Sequence, residues 1–210
     1  MTKKILISLN TAWNLLNFRS GLIGGLISSG YEVVAVAPKD EYVVKLELLG
    51  CRFVHLEMDN QGTHPIRDLL LLWRFFQLLK TEKPDICLFY TVKPNVYGSF
   101  ASAICGIPFI NNVSGLGAVF IQGGWLRRFV SALYRLAFRN SNRVFFQNRD
   151  DLGLFLENKL VKVAMTDVLP GSGINLHRFT PTDDSVRKSL NTPFRFLLIA
   201  RMLKDKGVVE

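Results

Sequence analysis

The sequence predicts an α/β protein built on a doubly wound parallel sheet. Two observations predict it: short apolar runs alternate with longer amphipathic stretches, and glycine or proline punctuates the junctions between them. A third is that 49% of the 210 residues are apolar, enough to bury a large core and too many for a disordered chain.

Residues 5–9 read as the first strand, 21–29 as a helix ending at Gly30, and 32–37 as a second strand stopped by Pro38. Together they form a β-α-β unit. A short helix over 43–49 ends at Gly50, and 52–56 makes the third strand. A long amphipathic helix over 65–81 follows, and strands over 85–90, 109–113 and 143–147 are separated by further helical stretches. Right-handed crossovers are expected throughout. The composition turns polar over 183–193, which is the expected linker between a first domain over 1–182 and the opening of a second over 194–210. In that last piece, an apolar run over 196–200 reads as a buried strand.

Charge narrows the partners. The 26 Lys and Arg outnumber the 17 Asp and Glu, leaving +9, and the excess is concentrated. Between Asp85 and Asp150 there is no acidic residue, while Lys93, Arg127, Arg128, Arg135, Arg139, Arg143 and Arg149 all fall in that window. An anionic partner is expected: lipid headgroups, phosphates or nucleic acid. Nucleic acid has only the charge in its favour, since no Cys-His finger, aromatic RNA-binding strand or helix-turn-helix pattern is present. Cys51, Cys87 and Cys105 lack metal-type spacing, and His55, His64 and His177 form no ligand cluster, so the sequence makes no case for a metal. The apolar run after Lys3 and Lys4 is five residues long, too short for a signal segment, and no run reaches the roughly 18 residues of a membrane span. A cytoplasmic protein, held at a surface, is the expectation.

In such a sheet the loops leaving the strands carry the chemistry. The first, over 10–19, contains Asn10, Thr11 and Arg19 but no Gly-x-Gly-x-x-Gly, which removes the main support for dinucleotide binding. Its hydroxyl, amide and guanidinium groups suit a hydroxylated or phosphorylated ligand; the alternative is a polar turn with an Asn cap. After the fourth strand come Thr91, Lys93, Asn95 and Tyr97, with Lys93 the only charge between Asp85 and Arg127. Lys93 either holds a phosphate or belongs to an ordinary turn before Pro94. After the fifth strand, Ser114 and Gly115 combine a hydroxyl with a permissive backbone. On a helix over 125–139, Trp125, Phe129, Ala132, Leu133 and Leu136 share an apolar face flanked by Arg127, Arg128, Arg135 and Arg139. That face either packs on the sheet or lies in a membrane interface. Asp150 and Asp151 are expected to cap a helix, and His64 is incidental or a base. Finally, Arg201 and Lys206 follow the run over 196–200 on a strand-to-helix turn, a placement that suits a diphosphate unless both are merely solvated.

The segment Leu169-Pro170-Gly171-Ser172-Gly173-Ile174-Asn175 through Phe179-Thr180-Pro181, followed at the expected distance by residues 196–201 and Lys206-Gly207, resembles the family 4 type of glycosyltransferases. The stretches 62–68, 91–98 and 112–117 are similar to a bacterial branch that adds hexose or N-acetylhexosamine to lipid-diphosphate-linked saccharides. The resemblance implies the GT-B architecture of two Rossmann-like domains facing across a cleft, with retention of anomeric configuration and no cofactor or metal. It implies a UDP-linked nucleotide-sugar bound by the second domain, with Arg201 and Lys206 stabilising the departing diphosphate. Asn10, Thr11, Arg19, Thr91, Lys93, Asn95, Ser114 and Gly115 are then acceptor-side candidates. Trp125, Arg127, Arg128 and Arg135 would hold the protein on the inner face of the cytoplasmic membrane, where an undecaprenyl-type acceptor lies. Two departures stand out: the Gly-Gly loop many members carry after the first strand is absent, and Lys93 takes the neighbourhood of the usual loop histidine, so no general base is assigned. The expected acidic donor-binding motif would lie beyond residue 210, and the chain alone is expected to be inactive. A non-catalytic anionic-surface module and a nucleotide-sugar epimerase of similar fold are the alternatives.

Overall fold

The computed structural model describes residues 2–59, 64–115, 124–176, 179–180, 196, 197 and 199, with the backbone alone at 125 and 126. The expected linker over 183–193, Arg201, Lys206, His177 and the Trp125 side chain lie outside the described residues, as does most of the expected strand over 196–200. The chain divides into a body over residues 1–174 and a segment over 175–210, in which the Phe179 amide donates to the Asn175 carbonyl at 3.0 Å.

The body holds seven parallel strands: β1 (Lys4–Ser8), β2 (Glu32–Ala37), β3 (Arg52–His55), β4 (Ile86–Tyr90), β5 (Phe109–Val113), β6 (Arg143–Phe146) and β7 (Thr166–Val168). Their order is β3-β2-β1-β4-β5-β6-β7. The chain winds outward from β1 to β3, then crosses back to β4 and winds the other way. A switch point therefore lies between β1 and β4, where a crevice opens at the carboxyl ends of open α/β sheets. The doubly wound parallel sheet is as the sequence predicts. The edge strand β7 is additional: it is three residues long, contains Asp167 and gives no apolar run to read.

Alternation along the strands sends side chains to two helical layers. Ile5, Ile7, Val33 and Ala35 pack with Leu15 and Ile23 of α1 (Ala12–Ser28) and Leu46 of α2 (Val43–Glu47). On the other face, Leu6, Val34, Cys87 and Phe89 pack with Leu71, Phe75 and Leu79 of α3 (Pro65–Glu82) and Ala101 of α4 (Ser99–Cys105). Beside them, Val144 and Phe146 meet Tyr134 and Phe138 of α5 (Gly124–Phe138) and Phe155 of α6 (Arg149–Glu157). Burial in this shell raises the Tyr134 hydroxyl above its ordinary pKa and pushes the Cys87 thiol up to about 12. Both are inert core groups.

Two helices differ from expectation. Most of the polar stretch over 10–19 is the first half of α1, so only Asn10 and Thr11 remain in the loop. The Thr11 hydroxyl accepts from the Asn14 amide at 3.0 Å, and Asp40, from the turn after β2, accepts from the Trp13 amide at 2.9 Å. These contacts satisfy orphan donors of the first turn. At α6 the cap is Asn148 rather than an aspartate: its Oδ1 accepts from the Asp151 amide at 2.7 Å while its Nδ2 donates to Asp151 Oδ2 at 2.9 Å. Asp150 and Asp151 occupy the first turn, where their charge suits the helix dipole.

A π-helical turn over Pro94–Gly98 joins the loop after β4 to α4. Its Gly98 is required by space. A Cβ there would stand 2.5 Å from the Phe89 ring.

Candidate functional site

Because β1, β4 and β5 are consecutive in the sheet, the loops that leave them are neighbours at its carboxyl edge. Asn10 and Thr11 follow β1, Thr91 to Lys93 follow β4, and Ser114 and Gly115 follow β5. The switch-point crevice thus separates Asn10 and Thr11 from Thr91. Backbone strain is stored at its rim: Thr91 sits at φ 60°, an uncommon state for a β-branched residue, with its hydroxyl donating to the Tyr90 carbonyl at 2.6 Å. Gly115 adopts φ 151° where nothing crowds a Cβ, so backbone conformation rather than space favours glycine there. The Ser114 hydroxyl donates to Asn112 Oδ1 at 3.2 Å, and Asn10 Oδ1 accepts from Asn14 Nδ2 at 2.7 Å.

Two candidates hold structure instead of facing a ligand. Lys93 donates to Asp68 of α3 at 2.9 Å, and both side chains are largely buried. The Tyr97 hydroxyl bonds the same carboxylate; burial first, and then the Asp68 charge and hydrogen bond, raise its pKa. Lys93 is therefore a neutralised cation, not a free one. Asn95 is 1% exposed: its Nδ2 donates to the Asn112 carbonyl at 2.9 Å, and its Oδ1 accepts from Asn111 Nδ2 at 3.0 Å. That network, which Ser99 joins by accepting from Asn111 at 2.8 Å, ties the π-turn to β5 and keeps Asn95 away from solvent.

Arg19 is the opposite case. It shares the sheet-facing side of α1 with Ala12, Leu15 and Ile23 and is 7% exposed. Its guanidinium carbon lies 4.2 Å from the centroid of the Tyr90 ring, and one terminal nitrogen donates to the Phe18 carbonyl at 3.0 Å. Its Nε has no acceptor among the described residues. Desolvation lowers the Arg19 pKa, opposed by its interaction with Tyr90, whose own hydroxyl is raised by burial. The sequence signal for this placement is the spacing 12, 15, 19, 23, an apolar helical stripe interrupted by one arginine.

The basic helix is turned differently from one of its two readings. Among the described side chains of α5, Val130, Tyr134, Ala137 and Phe138 are buried, whereas Phe129 is 49% and Leu136 57% exposed. Of the expected apolar face, Phe129, Ala132 and Leu136 therefore point outward, while Leu133 is half-buried against the core. Arg127, Arg128 and Arg135 line a groove with Ser131 and Asn158. Arg135 is also a brace, donating to the Asn158 and Lys159 carbonyls at 2.8 and 3.1 Å at the end of α6. On the same side of the sheet, Ile66, Leu69 and Trp73 of α3 and Ile104 of α4 are exposed. Among the described residues no helix is long and apolar enough to cross a membrane.

Comparison with known proteins adds three findings. Residues 18–171 match the family of glycosyl transferase 4-like domains. The chain is 30% identical over 210 residues to an N,N'-diacetylbacillosaminyl-diphospho-undecaprenol alpha-1,3-N-acetylgalactosaminyltransferase of Campylobacter jejuni, and it spans 94% of itself but 56% of that relative. Solved structures share the fold at low identity. A glycosyltransferase from Rickettsia africae aligns with TM-score 0.61 at 16% identity, covering 89% of this chain and 48% of its own. Sucrose-phosphate synthase from Thermosynechococcus elongatus gives 0.62 at 14%, covering 91% and 53%. A UDP-GlcNAc 2-epimerase from Neisseria meningitidis gives 0.54 at 17%, covering 79% and 46%.

Proposed function

Since the chain belongs to the glycosyl transferase 4-like family, we propose that it is the acceptor-side part of a retaining glycosyltransferase. The enzyme moves a hexose or N-acetylhexosamine from a UDP-linked nucleotide-sugar to a lipid-linked saccharide in bacterial surface polysaccharide or glycan synthesis. The observation that carries this reading is the sheet order, which sets the loops after β1, β4 and β5 side by side at the carboxyl edge and gathers hydroxyl and amide groups around the switch point between β1 and β4. The two described carboxylates beside it are occupied, Asp40 by backbone amides and Asp68 by Lys93 and Tyr97. Such a lining recognises sugar hydroxyls and phosphate, and it leaves acid/base chemistry on carbon without a free carboxylate pair. The epimerase reading, favoured only by shared fold, is disfavoured by that same observation.

In this account Asn10, Thr11, Ser114 and Gly115 meet the acceptor saccharide. Arg201 and Lys206, on the opening of a donor-binding domain over 194–210, stabilise charge on the departing nucleoside diphosphate without a metal. The relative's undecaprenol-linked acceptor supports a membrane-borne partner. The outward Phe129 and Leu136 of α5, beside Arg127 and Arg128, supply a matching contact for the inner face of the cytoplasmic membrane.

Sugar transfer tests the reading. Given to a longer protein in which this chain is joined to a complete donor-binding domain, a labelled UDP-N-acetylhexosamine and a short-chain prenyl-diphosphate-linked saccharide should give a product of retained anomeric configuration, whereas the 210 residues alone should give none. Arg201→Ala or Lys206→Ala should lower kcat about 10²–10³-fold. Release of a 2-epimerised sugar with no acceptor product would contradict it.

A further inference from the structure

A charged group taken out of water is costly unless it is paired. Arg19 is more than nine-tenths buried, and no ion pair is present for it among the described residues. Stacking on Tyr90 at 4.2 Å and the bond to the Phe18 carbonyl return part of that cost, while the Nε proton, without an acceptor among the described residues, adds its own penalty. A sequence selected for stability alone would place a leucine or methionine on this stripe, like Leu15 and Ile23 on either side.

The position of the guanidinium says what it waits for. Side chains on a helix lean toward its N-terminus, and α1 begins at the carboxyl edge, so Arg19 reaches back toward the crevice. It ends over Tyr90, the last residue of β4 and the neighbour of the strained Thr91. The usual anion seat in such a fold, the N-terminus of α1, is already filled by the Asp40 carboxylate on the Trp13 amide and by Thr11 on the Asn14 amide. An anion entering the crevice therefore meets its uncompensated positive charge at Arg19. A planar fork of donors matches a phosphate-type oxyanion in two-point fashion.

We infer that Arg19, backed by the Tyr90 ring, is an anchor for a diphosphate group of the ligand held between β1 and β4. This rests on the glycosyltransferase reading for the identity of the ligand, which is then the diphosphate that links saccharide to lipid. The anion-binding step itself can be measured without any sugar transfer.

The test titrates the intact chain with inorganic pyrophosphate at constant ionic strength, reading the melting temperature and, by calorimetry, Kd. Pyrophosphate should raise Tm, and Arg19→Met should weaken its binding at least tenfold. The unliganded Arg19→Met chain should melt at or above the wild type, by about 2–4 °C. Arg19→Lys keeps the charge without the fork; it should fold like the wild type and bind pyrophosphate with intermediate affinity. Competition then identifies the source: displacement by farnesyl diphosphate assigns the acceptor's linkage, displacement by UDP the donor's. Either supports an anion anchor. Equal pyrophosphate binding by wild type and both variants, or equal protection by acetate, would overturn it. The transfer assay judges the enzymatic reading separately.

Discussion

Two cations flank one crevice, and the structure treats them differently. Lys93 comes from the loop after β4 and is met by Asp68, with Tyr97 on the same carboxylate. Arg19 comes from α1 and is met by an aromatic face and one carbonyl. The first arrangement is complete within the chain; the second is complete only with a ligand. From sequence, Lys93 is the more conspicuous of the two, as a lone charge in an uncharged stretch, yet the described contacts give it a structural role. A charge announces a ligand when its counter-charge is missing, and conspicuousness along the chain does not report that.

Substitutions can break the comparison. The largest effect is expected at Asp68→Ala, which leaves Lys93 buried without its partner and should cost about 3 kcal/mol of unfolding free energy in urea titration. Adding Lys93→Met should restore much of the loss, and no recovery would mean the pair is not coupled. Next is Gly98→Ala, which forces a methyl against Phe89 and should cost about 2 kcal/mol, a control for the rigidity of the π-turn beneath Lys93. Smaller, and opposite in sign, is Thr91→Gly. Relief of the left-handed strain outweighs the entropy of the added glycine by about 0.5 kcal/mol, while a looser crevice rim should weaken acceptor binding.

The smallest effect is electrostatic and lies at the other end of the sheet. Glu82 closes α3; its carboxylate accepts from Arg52 and lies 3.7 Å from the Lys4 ammonium, which donates to the Glu82 carbonyl at 3.1 Å. The Arg52 hydrogen bond holds its pKa below the ordinary 4.5, and in turn raises that of Arg52. A depressed carboxylate stabilises the fold above its unfolded pKa, and that contribution fades as pH falls through the lower folded value. Stability should therefore decline from about pH 5 downward, and Glu82→Gln should flatten that part of the curve.

Much of the sheet was legible in the sequence because buried parallel strands are apolar runs with sharp ends. The runs at β2 and β5 coincide with the expected bounds. Other features depend on contacts that no local pattern contains. The first half of α1 looks like a polar loop, since one of its capping groups, Asp40, lies 27 residues from Trp13. Lys93 and Asp68 are 25 residues apart. On α5 two apolar faces exist, one through 129, 132 and 136 and another through 130, 134, 137 and 138, and periodicity cannot say which meets the sheet. Packing against Phe155 and Phe146 selects the second, leaving the first for whatever the protein touches.

The measurement that tests the account most directly is a titration of the isotopically labelled chain with a short-chain prenyl-diphosphate-linked saccharide, followed at backbone amides and at the Arg19 Nε proton. Shifts concentrated at Asn10, Thr11, Thr91, Ser114 and Gly115, together with a strong downfield move of Arg19 Nε, are the predicted result. A ligand that perturbs only α5, leaving the crevice between β1 and β4 and the Arg19 signal unchanged, would contradict it.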